Sequence, residues 1–363
     1  MGRTEPSVGQ PPASFRRDAR AKKAKATINQ LIPSLLSTHP RARRGIDATE
    51  LIVNPPPAQR TETAAGDKDG PRLTLRVADT LTTAHLLLEG TAHHARKLSK
   101  VAILNMASPL SPGGGFLNGA SSQEESLCMR TTLLPSLKDN YYRLPELGAV
   151  YTPDVLVFRN EQADEVLEKS ERWFVDCISA AMLRGPETDH DDAGRASYAN
   201  EKDRELAVQK MKMVMRICQA KGVTKVVLGA WGCGAYGNPV NEVATAWRKV
   251  LLPREDAKAK KNDKRETWSD IGEVVFAIKD AGMADSFGAA FGDGLVREET
   301  TVTDEEGEIE EVNPEDVRAQ ELRAKIQELK QRVETTTNPQ VKTGLGGILA
   351  GLINQLAKNE DSQ

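Results

Sequence analysis

The chain has 363 residues and a mass of 39.6 kDa, with 39% hydrophobic, 4% aromatic and 28% charged residues and a formal net charge of −3. This length excludes a small disulfide-stapled scaffold, and the lean apolar content predicts one large domain with flexible ends. The near-neutral charge excludes a global field that would draw the protein onto duplex DNA or an anionic membrane, so any nucleotide is bound locally.

Cysteine and histidine spacing gives no sign of a metal or cofactor. Cys128, Cys177, Cys218 and Cys233 form no CxxC pair, and the five histidines show no ligand spacing. The N-terminus lacks the apolar core of a signal peptide, and no run of about 18 apolar residues occurs. We therefore expect a reduced, intracellular protein, cytoplasmic or nuclear and not secreted.

The N-terminal region predicts a tail, a helix and a loop. Residues 1–13 are rich in Pro, Gly and Ser and are expected to be disordered. Apolar residues recur at helical spacing from Arg16 to about Leu36, and the first half of this helix is cationic, RRDARAKKAKA. The favoured interpretation of that run is a solvated helix face, with a nuclear-localisation patch as the alternative. Prolines and glycines predict a surface loop over residues 53–72.

Short β-rich runs then alternate with helical stretches. The predicted strands are residues 100–104, 155–158, 225–228 and 273–278. Residues 205–221 place apolar side chains on one helical face, and the polar residues 185–199 predict a long loop. Strands alternating with helices indicate a three-layer α/β fold with a mixed sheet between helices.

The C-terminal part changes character after about residue 290. Residues 291–314 form an acidic low-complexity linker, and residues 315–363 form a tail with two apolar segments at helical spacing. This tail either docks back onto the domain or binds a partner, and the sequence leaves both open.

The first motif follows the strand that ends at Leu104 and reads NMASPLSPGGGFLNGASSQEESLC. Consecutive glycines let a backbone approach a ligand closely and present N–H groups to phosphate oxygens, although hinges use them too. Gln123, Glu124 and Glu125 follow at the start of a helix. Ser122 and Glu125 fit a capping box, so local helix capping is the competing interpretation of Glu125.

The second motif is VVLGAWGCGAYGNPVNEVATAW, in which a buried strand leads into a glycine-rich loop. A helix is predicted to begin with Asn238 as N-cap and Pro239 as its first residue. A glycine loop before a helix N-terminus binds phosphate at the carboxyl edge of an α/β sheet. Tyr236 is a candidate to stack on a base or ribose, whereas for Trp231 we favour core packing.

Together the two motifs resemble the poly(ADP-ribose) glycohydrolases, the microbial-type branch in particular. The glycine triplet, seven further residues and QEE form that family's signature, and both motifs stand in its order and at a similar separation. The resemblance covers residues 16 to 285 approximately. It implies a macrodomain fold, with residues 14–290 as the catalytic domain and ADP-ribose in a cleft at the strand ends.

The resemblance also implies a role for each site residue. It makes Glu125 the catalytic glutamate and Glu124 the neighbour that hydrogen-bonds the ribose hydroxyls. It makes Asn105 a contact of the distal ribose, and it assigns Tyr236 to stacking near the adenosine and distal ribose. The remaining ligand contacts that it implies are Gly113, Gly114, Gly115, Gln123, Gly232, Gly234 and Ala235.

Two departures from the family pattern concern the ligand rather than the glutamates. Tyr236 stands where the family usually has phenylalanine, and SAAMLRGPE, residues 179–187, replaces an Ala-Pro-Asn sequence. No adenine-recognition residue is therefore assigned.

The reaction that this resemblance implies is hydrolysis of the 1″–2′ ribose–ribose bonds of poly(ADP-ribose), as on ADP-ribosylated proteins, to release ADP-ribose. Cleavage passes through an oxocarbenium-like state, so the leaving oxygen needs a proton and the anomeric carbon needs water. Adjacent residues on a helix point in different directions, which predicts that Glu125 alone acts first as acid and then as base. We expect a monomer that needs neither metal nor cofactor. The alternatives are a mono(ADP-ribosyl) hydrolase acting on protein or DNA, a non-catalytic ADP-ribose reader, and an added scaffold role of the C-terminal helices.

Overall fold

The computed structural model describes residues 13–57, 70–92, 99–161, 165–192, 194–252 and 266–298, with Ile326, residues 346–347 and residues 349–353. Most of the predicted disordered N-terminus, the middle of the predicted loop 53–72, and most of the acidic linker and C-terminal tail lie outside these residues. Those expectations remain predictions.

The N-terminal segment is helical, as the apolar spacing indicates. Helix α1 spans Ala13–Ala26 and continues through a π-helical turn, Thr27–Leu31, into α2, Ile32–Thr38; α3 follows at Pro40–Asp47. Ile32 and Leu35 are buried against the end of a sheet strand, beside Leu156 and Phe158. The apolar stripe of this segment therefore covers one end of the domain.

An eight-stranded mixed sheet forms the centre of the domain, in the order β1-β4-β5-β3-β8-β9-β2-β10. Its strands are β1 (Glu50–Val53), β2 (Arg72–Arg76), β3 (Val101–Met106), β4 (Gly148–Val157), β5 (Trp173–Ala180), β8 (Lys225–Leu228), β9 (Glu273–Ala277) and β10 (Val296–Glu298). β3 lies between β5 and β8 and is parallel to both. The predicted strands at residues 100–104, 225–228 and 273–278 are confirmed.

Helices cover both faces of the sheet, which confirms the three-layer α/β fold. One face packs against α4 (Thr80–Ala92) and α5 (Gln123–Arg130). The other packs against α6 (Glu201–Ala220), α7 (Val240–Leu251) and α8 (Ala281–Phe291). The predicted helix over residues 205–221 is therefore confirmed as most of α6.

Three predicted boundaries were wrong. β4 begins seven residues before the predicted Val155, because Pro153 and Asp154 lie at a bulge that disguises the strand in the sequence. Within the predicted loop 185–199, Thr188–His190 (β6) pairs with Ala196–Tyr198 (β7) in a hairpin. β10 pairs in parallel with β2, so the sheet extends beyond residue 290 to Glu298.

Candidate active site

The QEE sequence is held at the carboxyl end of β3 by its glutamine. Gln123 accepts a hydrogen bond from the Met106 backbone N–H at 2.9 Å and donates one to the Leu104 carbonyl at 2.8 Å. The first residue of α5 is therefore tied to the strand on which the site is built. Both ends of the Gln123 amide face the protein, so the structure gives this predicted ligand contact a positioning role.

The Glu125 carboxyl lies between the glycine triplet and Ser122 at the start of its own helix. Its Oε1 accepts a hydrogen bond from the Gly115 N–H at 2.7 Å, and its Oε2 accepts one from the Ser122 hydroxyl. Ser122 is the N-cap of α5 but makes no side-chain capping bond. The capping-box interpretation is therefore wrong, and the Glu125 carboxyl belongs to the loop.

Glu124 is enclosed even more completely, with 3% of its surface exposed. It accepts hydrogen bonds from the Ser108 N–H at 2.7 Å, the Asn105 amide at 3.3 Å and the Gly113 N–H. Burial, reinforced by the charge of Glu125, raises the pKa of Glu124 from 4.5 to about 8. Glu124 is therefore mostly protonated at neutral pH.

The two carboxyls converge on one glycine. A Cβ atom added to Gly114 would lie 2.7 Å from Glu125 Oε1 and 2.9 Å from Glu124 Oε2, and Gly114 has a φ of +54°. The expectation that adjacent glutamates point apart is wrong here, because their side chains bend back over the same loop. No side chain fits at Gly114 while both carboxyls keep these positions.

The glycine triplet does not offer its N–H groups to a ligand in this structure. The Gly113 and Gly115 N–H groups bind Glu124 and Glu125, and the Gly114 N–H donates to the Ser111 carbonyl at 3.2 Å. The N–H groups of this loop therefore do not form the expected phosphate cradle. The triplet organises the carboxyls, and its approach to the ligand stays a prediction.

The second glycine loop, residues 229–238, has the opposite arrangement. Within the described part of the chain, the N–H groups of Gly232, Gly234, Ala235 and Tyr236 make no hydrogen bond. They precede the N-terminus of α7, where the helix dipole favours negative charge. This loop has the donors that a diphosphate requires.

Asn238 closes the second loop but does not cap the helix. α7 begins at Val240 with Pro239 as N-cap, one residue later than predicted. The Asn238 side chain instead donates to the Leu183 and Gly232 carbonyls and accepts from the Tyr198 hydroxyl. A Cβ at Gly232 would lie 2.6 Å from Asn238 Nδ2, so this glycine permits the tight closure.

The two aromatic residues of the second loop differ in burial. Trp231 is fully buried against Trp247, which confirms core packing. Tyr236 is half-buried and its side chain hydrogen-bonds that of Ser108, the residue whose N–H binds Glu124. Tyr236 thus joins the second loop to the carboxyl pair.

The predicted Asn105 lies beside Glu124 together with Ser108, Ser179 and Tyr142, which sequence reasoning missed. Asn105 is wholly buried and donates to Ser179 as well as to Glu124, while Asn105 Oδ1 has no partner among the described residues. The Tyr142 hydroxyl is also buried without a partner there, and burial, followed by the charge of Glu124, raises the pKa of Tyr142. Ser108 and Ser179 carry no spacing signal, because they reach the site from different strand ends.

A cavity of about 280 Å³ borders the site beyond β5. Its wall is formed by Pro109, Leu144, Pro145, Glu146, Ala181, Met182, Leu183, Arg184, Pro186, Asp203, Leu206 and Lys210. It adjoins the second loop, because the Gly185 N–H donates to the Tyr236 carbonyl at 2.9 Å. The lining of this cavity thus combines apolar side chains with the charged residues Glu146, Arg184, Asp203 and Lys210.

The described residues contain no candidate for two further classes of site. No group of three or more His, Cys, Asp or Glu side chains there is placed to hold a metal ion. No helix there is long and apolar enough to cross a membrane.

Comparison with known proteins gives the same picture as the geometry. Residues 35–160 match the family model of the microbial-type PARG catalytic domain. No curated protein matches the chain.

Several solved structures are similar. Poly(ADP-ribose) glycohydrolase from Thermomonospora curvata shares 26% identity over 76% of this chain and 98% of its own, with a TM-score of 0.57. The same enzyme bound to the inhibitor ADP-HPD shares 25% identity over the same proportions, with a TM-score of 0.54. The Deinococcus radiodurans glycohydrolase in complex with ADP-ribose shares 23% identity over 69% of this chain and 94% of its own, with a TM-score of 0.48.

A three-layer sheet with a carboxyl pair and an N–H-rich loop at neighbouring strand ends defines a macrodomain-like glycosidase-type hydrolase. Within that class, the chain is similar to the microbial-type poly(ADP-ribose) glycohydrolases, over residues 35–160 by the family model and over 76% of its length by the Thermomonospora structures.

Proposed function

We propose that this protein hydrolyses the 1″–2′ ribose–ribose bonds of poly(ADP-ribose) and releases ADP-ribose, which is the activity of its family. The observation that carries the proposal is the pair of buried carboxyls that face Gly114, next to a loop whose N–H groups have no acceptor among the described residues. A protein that only binds ADP-ribose has a use for the second feature but none for the first.

Glu125 is the acid and then the base. Its carboxyl is fixed by two hydrogen bonds, from Gly115 and Ser122, so its position does not depend on substrate. A proton passes from this carboxyl to the departing 2′-oxygen as the glycosidic bond breaks. The carboxylate then takes a proton from the water that attacks the anomeric carbon, which restores the starting state.

Glu124 assists as a neutral group that orients the sugar. Because its pKa is near 8, Glu124 is in its neutral form in most molecules at neutral pH. A protonated carboxyl can both donate to and accept from ribose hydroxyls. Asn105 donates a hydrogen bond to Glu124 and so helps to hold the Glu124 carboxyl in place. A contact between Asn105 and the ribose is also part of the proposal.

The second loop binds the diphosphate. The N–H groups of Gly232, Gly234, Ala235 and Tyr236 supply donors, and the Tyr236 ring supplies a surface for stacking on the nucleoside. Fixing the diphosphate places the distal ribose over the Glu124–Glu125 pair, so binding energy is used to orient the scissile bond. The glycine triplet forms the opposite wall of this cleft.

The natural substrates of this activity are ADP-ribosylated proteins that carry the polymer. We accordingly propose an intracellular, monomeric enzyme that reverses ADP-ribosylation, including modification made in the DNA damage response.

The test is product analysis with purified full-length protein. Labelled poly(ADP-ribose) and mono(ADP-ribosyl) protein and DNA substrates are incubated separately, and the products are separated by chromatography. We expect free ADP-ribose from the polymer alone. Release from a mono-modified substrate alone would identify a mono(ADP-ribosyl) hydrolase, and binding without any release would identify a reader.

A further inference from the structure

Helix α1 carries a dense basic surface. Its 14 residues include one carboxylate, Asp18, and six cationic side chains: Arg16, Arg17, Arg20, Lys22, Lys23 and Lys25. Lys22 and Lys25 are exposed. This charge stands out because the whole chain has a net charge of −3.

Arginine side chains of this helix donate hydrogen bonds to main-chain carbonyls of the loop that contains the glycine triplet. The Arg20 side chain donates to the Gly119 carbonyl at 2.8 Å, and that of Arg17 donates to the Asn118 carbonyl at 3.1 Å. A Cβ at Gly119, where φ is +77°, would lie 2.1 Å from the Arg17 carbonyl oxygen. Only a glycine therefore allows the helix to sit this close.

The same loop reaches the catalytic glutamate within a few residues. The Ala120 N–H donates to the Gly115 carbonyl, and the Gly115 N–H donates to Glu125. Residues 111–123 contain no charged side chain, so no carboxylate stands along the loop between the basic helix and the glutamate pair. The basic surface thus borders the site.

We propose that the basic surface of α1 binds the diphosphates of poly(ADP-ribose) units lying outside the cleft. This inference rests on the proposed function. Each unit of the polymer carries a diphosphate, and lysine and arginine side chains bind phosphates along a flexible polyanion with strong salt dependence. A single ADP-ribose has only one diphosphate, which the proposed function assigns to the loop 229–238. The surface therefore favours long polymer over short products.

The variant Lys22→Gln/Lys25→Gln tests this because it removes two charges while glutamine keeps a similar helix propensity. The matched control is Lys212→Gln/Lys249→Gln on α6 and α7, which pack on the opposite face of the sheet. Steady-state kinetics are measured on long polymer and on the ADP-ribose dimer over a range of salt concentrations. We also measure polymer binding by filter retention and competition by duplex DNA.

We expect the α1 variant to raise KM for long polymer several-fold with kcat unchanged, and to leave the dimer and ADP-ribose affinity unaffected. The log–log salt slope should fall by about 1 for each lysine removed. An unchanged polymer KM, an equal effect in the control variant, or competition by duplex DNA as strong as that by polymer would overturn the inference. If the wild type releases no ADP-ribose, the proposed function fails, whereas filter retention still decides whether α1 binds the polymer.

Discussion

The two glycine loops look alike in the sequence but do different work. Residues 113–115 give all three of their N–H groups to protein acceptors, two of which are the Glu124 and Glu125 carboxyls. In the loop 229–238, four N–H groups have no acceptor within the described residues. Glycine content therefore indicates that another group lies close to the backbone, but it does not identify that group. In the first loop the approaching group is the protein's own carboxyl pair.

The comparison separates chemistry from binding. The first loop fixes the groups that transfer protons, and the second presents donors to the ligand. Changes in the first loop should therefore lower kcat most, and changes in the second should lower affinity most. Four substitutions test this division.

Glu125→Gln should have the largest effect, a loss of turnover at or above the upper end of the roughly 10²- to 10⁴-fold range of general acid–base groups. Glutamine can still accept from Gly115 and donate to Ser122, so ADP-ribose affinity and melting temperature should be close to wild type. Hydrolysis, calorimetric affinity and thermal unfolding are measured together, with the exposed Glu205→Gln as control. Retained hydrolysis would remove Glu125 from the catalytic role.

Gly114→Ala should lower both turnover and stability. Its Cβ would collide with both carboxyls, and a non-glycine residue at φ +54° costs about 1–3 kcal/mol by itself. Gly234→Ala is the matched control, because a Cβ there meets no atom within 4 Å. It should change stability by less than about 0.5 kcal/mol while weakening ADP-ribose binding. Equal effects of the two alanines on kcat would contradict the division between the loops.

Glu124→Gln should change how stability depends on pH. The pKa of Glu124 is raised on folding, so the folded protein binds a proton that the unfolded chain releases, and stability falls as pH rises from about 4.5 to about 8. Glutamine does not ionise, so the variant should gain melting temperature relative to wild type at pH 9 and match it near pH 5. Parallel curves for the two proteins over this range would show that Glu124 is not the group responsible.

Tyr236→Ala should weaken ADP-ribose binding with the fold retained. A base–aromatic stacking contact is worth about 1–3 kcal/mol in nucleic-acid sites. Tyr236→Phe keeps the ring and removes the bond to Ser108, so it should retain most of the affinity. Loss of folding in the alanine variant, with normal affinity in the protein that remains folded, would point to packing.

Local patterns in the sequence were sufficient for the α/β class and for the central strands. Buried runs such as KVAIL and EVVFAI predicted central strands, because a strand covered on both faces must be apolar throughout. Family resemblance, rather than spacing, identified Glu125 as the catalytic glutamate, since spacing alone favoured a capping box. Two kinds of element were missed. Pro153 hid half of β4, and the hairpin of β6 and β7 has no apolar run that would predict a strand.

The sequence by itself determined the alternation of central strands with helices, the packing role of Trp231 and the two glycine loops as close-approach points. Only the tertiary structure decided which groups approach them. Three separate segments meet around Glu124 and contribute Asn105 with Ser108, Tyr142, and Ser179. Glu125 connects Ser122, at the start of its own helix, to Gly115 in the glycine loop. Periodicity encodes burial along one element, whereas hydrogen bonds between distant segments depend on how strand ends are brought together, and no local pattern records that.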